Sequence, residues 1–284
     1  MTPDGIALAL DLGGTKAAVA RVAPDGVVLA RGEVPTGPTG DPWPAIADLL
    51  RSTAAGDEVV CGVGAAGPLT RDRSCVSPLN APPWVDFPLR ARVAEATGLP
   101  AFVDIDTKAL ALGEGRFGAA RGVDDFIAMV VSTGVGGGIV SRGALLEGAT
   151  GNAGHVGHVV VEPNGRPCSC GGRGCLEALA SGTAIAAMTG RPAADAPDDV
   201  RRAAGRAVGV AVASVASLLD LKLAVVAGSV ALGYGEVFFE AAQTAIDEHA
   251  RLSFARGARI VPSTLADAPL VGAACVGWRG REGS

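Results

Sequence analysis

Aromatic side chains make up only 4% of the 284 residues, with a single tyrosine, and lysine is scarcer still: Lys16, Lys108 and Lys222 complete the set. With no basic block and a net charge of -5, the chain does not offer the surface expected of a nucleic-acid binder or of a protein held on anionic membrane. Charged residues reach 19% and hydrophobic ones 49%, which excludes disorder as the default state. Long apolar runs are missing too. The longest uncharged stretch in the helical region near the C-terminus, residues 207–219, is too short to span a bilayer. Residues 1–5 carry Asp4 and no basic residue, so no signal peptide is expected and the predicted location is the cytoplasm.

Small residues fill the space. There are 41 glycines and 18 prolines, and the length suits one large domain or two of ordinary size. Of six cysteines, Cys61, Cys75 and Cys275 are scattered in apolar surroundings and read as core residues, whereas Cys168, Cys170 and Cys175 crowd into eight positions. Apolar runs at 6–10, 17–22 and 27–29, broken by Gly13-Gly14 and by Pro24-Asp25-Gly26, predict an antiparallel meander. Helices are expected over 45–50, 89–97, 107–117, 200–219, 236–249 and 269–276. Further strands are expected over 59–63, 101–103, 126–131, 138–141, 159–162 and 224–227. Strands and helices mixed in this order mean an α/β fold. Two stretches, "LALDLGGTKAAVARV" and "AMVVSTGVGGGIVSR", each place a tight glycine turn between apolar strands, which predicts two related lobes.

Those turns are the first candidates for chemistry. Consecutive glycines let backbone N–H groups converge on an anion, and Asp11 beside Gly13, Gly14, Thr15 and Lys16 adds a carboxylate for Mg²⁺ and a hydroxyl for phosphate oxygens. Thr133 and Gly134, with Gly136 to Gly138, supply a second such turn. Either alone reads first as a plain hairpin turn; one in each half reverses that preference toward phosphate binding. No Gly-x4-Gly-Lys-Ser/Thr run is present, and the GxGxxG match at 62–67 is not followed by a convincing helix, so a dinucleotide site is rejected. His158, Cys168, Cys170 and Cys175, with glycines between them, make a closed tetrahedral Zn²⁺ set whose role is structural; the other reading is reduced cysteines beside a turn. Asp106 opens a helix and is either an N-cap or a catalytic carboxylate, with Asp104 competing for the same roles. Lys108, one turn in, is expected to meet solvent or the Glu114 face.

In order along the chain, "DLGGTK", "GVGAAGPL", "ALALGEG", "STGVGGGI" and "GHVGHVVVEPNGRPCSCGGRGCLEALASG" resemble the ROK family of bacterial sugar kinases and repressors. The resemblance covers nearly the whole chain. It implies the two-lobed actin-like, hexokinase-like (ribonuclease H-like) ATPase fold, with a small zinc-stapled loop at 158–175. The lobes expected are 1–107 with a C-terminal helix at about 268–284, and 108–267.

The activity implied is ATP-dependent phosphoryl transfer to the 6-hydroxyl of glucose or a glucose-like, amino-modified hexose, with Asp106 as general base and Mg²⁺ and a structural Zn²⁺ as metals. Gly228 falls at the adenosine position, and Asn80, His158 and Glu177 at sugar-side positions. Two departures bear on the sugar: Ile105 stands where the family usually has Asn, and His155 where it usually has a sugar-binding Glu. A homodimer is also implied. The alternatives are a sugar-sensing regulator, disfavoured because Asp11 lies ten residues from the start and leaves no room for a DNA-binding domain, and an idle sugar- or ATP-binding relative.

Overall fold

The computed structural model describes residues 4–36, 40–78 and 84–283; Asn80 lies outside them. The chain divides into two units: Met1–Phe117 with Glu147–Ala153 and Leu265–Ser284, and Gly118–Leu146 with Gly154–Thr264.

In the first unit, strands β1 (Ile6–Leu12), β2 (Lys16–Val22) and β3 (Val28–Pro35) form the antiparallel meander. Helix α1 (Trp43–Thr53) leads to β4 (Glu58–Ala65), and α2 (Leu89–Thr97) leads to β5 (Ala101–Ile105). Helix α3 (Asp106–Phe117) follows β5 without a loop. The sheet order is β3-β2-β1-β4-β5, with β1, β4 and β5 parallel. Strand β1 is apolar without alternation because both its faces are covered: Ala7 and Ala9 pack in one core cluster, Leu8 and Leu10 in another. Strand β3 lies at the sheet edge and is mostly exposed, so its polar sequence hid a strand longer than the expected 27–29.

The C-terminal helix, Ala268–Glu282, belongs to this unit and lies on the sheet and on α3. Its backbone comes so close that a Cβ on Gly62 of β4 would overlap the Ala273 carbonyl, and one on Gly272 would sit 2.5 Å from the carbonyl of Ala109 in α3. The first glycine of the GxGxxG match therefore serves packing, in line with rejecting a dinucleotide site. Cys61 and Cys275 are buried as expected, while Cys75 is only half-buried.

In the second unit, β6 (Phe126–Val131), β7 (Val135–Ser141) and β8 (Ala144–Leu145) are antiparallel neighbours. Helices α4 (Glu177–Ala180), α5 (Gly182–Thr189) and α6 (Asp198–Leu219) follow, then β9 (Leu223–Ala227), α7 (Ser229–Tyr234), α8 (Glu236–His249) and β10 (Arg259–Pro262). The order β10-β9-β6-β7-β8, with β6, β9 and β10 parallel, repeats the plan of the first sheet strand for strand. Helix α6 is long and apolar enough to cross a membrane by length and composition, yet 56% of its most apolar window is buried inside the protein, where it packs on α8.

The strand expected at 159–162 does not form. Val156–His158 is a single 3₁₀ turn, and Val160 makes only an isolated bridge to Cys175. The cause is the glycine approach upstream: Gly154, at φ +105°, is so close to β7 that a Cβ would overlap the Gly137 carbonyl. The chain must turn there, and residues 159–162 can pair only with the end of the cysteine loop, where Val161 N–H donates to Gly174 O at 2.9 Å.

Candidate active site

Asp11 sits near the end of β1, opposite Ala18 of β2, and the turn between these strands is closed by Gly13 N–H donating to Lys16 O at 3.0 Å. Thr36, buried, ties the turn from outside the hairpin: its N–H donates to Thr15 O at 3.0 Å and its hydroxyl to Gly13 O at 3.3 Å. Gly14 lies within this turn, and Thr15 and Lys16 face solvent, Lys16 pairing with Glu33 at 2.9 Å. Asp106 is the first residue of α3 and accepts the Thr107 N–H on Oδ1 at 2.7 Å. Burial, with the charge of Asp106 added and that of Lys16 opposing, pushes the pKa of Asp11 up to about 7. Both carboxylates stand at the carboxyl ends of parallel strands, where open α/β sheets bind ligands. A buried acid whose proton affinity is raised further by a neighbouring carboxylate suits a divalent cation, which relieves the repulsion.

Strand alternation separates Asp106 and Asp104 from Ile105. Ile105 is 4% exposed and packs with Leu69, Val76 and Trp84, so it offers an apolar wall and no hydrogen bond. Asp104 is 1% exposed; its Oδ1 accepts the Ile105 N–H at 2.9 Å, while Oδ2 has no hydrogen-bond donor and lies 3.5 Å from Arg73 and 3.7 Å from Arg279. Enclosed beside two guanidiniums, Asp104 serves an internal charge cluster rather than the catalytic role for which it competes with Asp106 in the sequence. Lys108 corrects the expectation outright. It is fully buried and meets neither solvent nor the Glu114 face: its ammonium donates to Glu147 Oε2 at 2.8 Å and to Gly151 O at 2.7 Å.

In the second unit the turn between β6 and β7 carries Thr133 and Gly134 and closes with Ser132 N–H on Gly134 O at 2.9 Å. Val135 N–H donates to Glu177 Oε2 at 3.0 Å, and Thr133 O accepts the Thr183 hydroxyl at 3.0 Å. Gly228, at φ +103°, follows β9 so close to β6 that a Cβ would overlap Val131 O. Of these, Ser132, Thr133 and Thr183 line a cavity of about 410 Å³, with Gly182, Ser229 and Tyr234 among its other walls.

The donor atoms of His158, Cys168, Cys170 and Cys175 all lie within 4.8 Å of one another, with His158 Nδ1 3.7 Å from Cys168 Sγ and Cys170 Sγ 3.7 Å from Cys175 Sγ. Tetrahedral zinc with ligand distances of about 2.0–2.3 Å needs edges of roughly 3.3–3.8 Å; the two 3.7 Å pairs have that spacing, and two thiols, a third thiol and an imidazole gathered this closely are the donor set zinc takes. They form a closed set that leaves no position for a substrate. His155 is exposed, its ring 6.3 Å from that of His158, and stands outside the four donors. Glu177 reaches back from α4 to the cysteine loop as well, accepting the Ser169 hydroxyl on Oε1 at 3.4 Å.

The profile of the ROK family matches residues 7–278. The chain belongs to that family. A Thermotoga maritima glucokinase is 42% identical over 184 residues, and the match covers 63% of this chain and only 58% of the relative's own length. An N-acetylmannosamine kinase from Escherichia fergusonii is 35% identical over 249 residues, covering 80% of this chain and 84% of that protein. The crystal structure of a Streptomyces griseus ROK glucokinase with glucose and AMPPNP superposes at a TM-score of 0.85 and 32% identity, covering 97% of this chain and all of that one. The fold is thus the actin-like, hexokinase-like ATPase fold that the motifs implied.

Sequence reading of this ROK protein missed Arg73, Glu147 and Arg279 around Asp104 and Lys108, and Thr183, Ser229 and Tyr234 in the cavity wall. They belong to no local pattern and meet only through the fold. Because folding raises the pKa of Asp11, its contribution to stability is whole below the ordinary carboxylate range and lost as pH rises through about 7. Metal-free protein should accordingly lose melting temperature as pH rises from about 4 to about 7 and level off above it, with Mg²⁺ restoring more at the upper end; a loss that Mg²⁺ does not touch would contradict this. Metal analysis should find about one zinc per chain, and Cys175→Ser should abolish it and lower the melting temperature by roughly 5–10 °C.

Proposed function

We propose that this ROK protein is an ATP-dependent hexose kinase that phosphorylates the 6-hydroxyl of glucose or of a glucose-like, amino-modified sugar. The observation that carries the reading is the placement of Asp11 and Asp106 at the carboxyl ends of parallel strands of one sheet, where the charge of Asp106 adds to burial in raising the proton affinity of Asp11. Asp106 orients the sugar hydroxyl and takes its proton as the new O–P bond forms and the bond from the γ-phosphorus to the bridging oxygen breaks, releasing ADP. Phosphoryl transfer passes through a loose transition state, so a carboxylate that positions the nucleophile and accepts the proton late is sufficient. The N-terminus of the 12-residue helix α3 favours its ionised form. Mg²⁺, held by Asp11, would neutralise charge on the phosphate oxygens.

Gly13, Gly14, Thr15 and Lys16 in one unit, and Thr133, Gly134 and Gly228 in the other, are assigned to the nucleotide. The cavity beside Thr133 has walls that mix hydroxyls with apolar surface and a volume suited to a nucleoside. Asn80, His155, His158 and Glu177 are assigned to the sugar side, with Ile105 as its apolar neighbour; Zn²⁺ holds the cysteine loop and takes no part in transfer. Relatives that include both a glucokinase and an N-acetylmannosamine kinase support the hexose and amino-hexose classes alike. A cytoplasmic homodimer is part of the same reading.

A coupled ADP-release screen over hexoses and amino hexoses, with and without Mg²⁺, tests the activity. Asp106→Asn should lower kcat by about 10³-fold or more while leaving the fold and zinc content unchanged. No turnover with any sugar by the zinc-loaded wild type would favour an idle binding protein. Losing a partner for a sugar hydroxyl costs about 1–3 kcal/mol, so Ile105→Asn should raise kcat/KM on glucose relative to the amino sugar by about tenfold. An unchanged ratio would remove Ile105 from the specificity argument.

A further inference from the structure

The fully buried Lys108 has three N–H donors and three acceptors: Glu147 Oε2 at 2.8 Å, Gly151 O at 2.7 Å and Glu147 O at 3.3 Å. All three acceptors lie in Glu147–Ala153, a seven-residue excursion of the chain that belongs to the first unit although the residues before and after it belong to the second. The excursion is closed on itself by Ala153 N–H donating to Glu147 O at 3.1 Å. The carboxylate of Glu147 is shared further. It accepts Arg279 of the C-terminal helix at 2.7 Å and also pairs with Arg73. Burial opposes its charge, but the bonds from Lys108, Arg73 and Arg279 outweigh that and hold its pKa down at about 2.

Lys108 stands two residues after Asp106, and Ala153 two residues before His155. A fully buried ammonium is expensive in desolvation, and a well-packed apolar pair of similar volume is often as stable or more so. A bare stability role therefore explains this lysine poorly. What an apolar pair does not supply is direction: two short bonds and a longer third fix one geometry of the excursion against the helix that starts with Asp106.

We propose that Lys108 is a positioning residue, which with Glu147 fixes the segment Glu147–Ala153 to helix α3 and so sets the placement of the chain that leads into the sugar-side residue His155. The effect on turnover rests on the kinase reading above; the clamp itself does not. Misplacement of a substrate-positioning group by about 1 Å is enough to cost up to two orders of magnitude, and here it should fall on the sugar alone.

The test compares wild type, Lys108→Met and the apolar double variant Lys108→Met/Glu147→Leu. Amide hydrogen exchange of residues 147–153, read without any substrate, should quicken at least about tenfold in Lys108→Met while β1 and β2 amides are unchanged. In steady-state assays the hexose KM should rise about tenfold or more with the ATP KM within about twofold, and the double variant should regain melting temperature without regaining the hexose KM. The proposal is overturned if exchange in the segment is unaltered, if both KM values rise together, or if the double variant recovers the hexose KM along with its stability. If the wild type phosphorylates no hexose, the kinase reading fails while the exchange measurement still decides the clamp.

Discussion

The proximity of two carboxylates in one unit governs the chemistry open to this protein. Asp11 ends a central strand and Asp106 begins a helix directly after another strand of the same parallel set, so the backbone brings both charges to one edge of the sheet. Burial of Asp11 first, and the charge of Asp106 second, push its pKa up to about 7. A divalent cation and a polar substrate hydroxyl are the partners that such a pair accommodates. The C-terminal helix, packed through its own Gly272 against Ala109 of α3 and through Ala273 against Gly62 of β4, leaves α3 and hence Asp106 little freedom to relax away.

The second unit repeats the sheet order and uses it differently. Its hairpin ends in Ser132, Thr133 and Gly134 rather than in an acid, and the turn is held by Glu177 and by the start of α5. Glu177 also touches the cysteine loop through Ser169, so the metal staple and the glycine turn share one side chain. One plan of strands thus carries an acidic end and a donor-rich end, and the difference lies wholly in the side chains placed at equivalent turns.

Much of this was legible from local pattern. The paired strand–turn–strand segments, the long Ala/Val helix and the His158/Cys168/Cys170/Cys175 set each depend on residues close in sequence, and each is where spacing places it. What escaped was set by distant contacts. Lys108 looked like a surface residue because its acceptor Glu147 comes 39 positions later. The segment after His158 has strand-like composition, but the approach of Gly154 to β7 denies it a sheet. Edge strand β10 and the short helices α4, α5 and α7 lack the length for periodicity to register. Asp104 has the sequence position of a catalytic carboxylate, yet Arg73 and Arg279, distant in sequence, stand beside it.

The coupling of the two acids can be read directly by carbon-detected NMR of isotopically labelled aspartate, following the Asp11 carboxyl in metal-free wild type and in Asp106→Asn. A coupled pair predicts a midpoint at about 7 in the wild type that falls when the neighbouring charge is removed. An ordinary carboxylate midpoint in both proteins would contradict it, and with it the placement of metal and hydroxyl at this edge of the sheet.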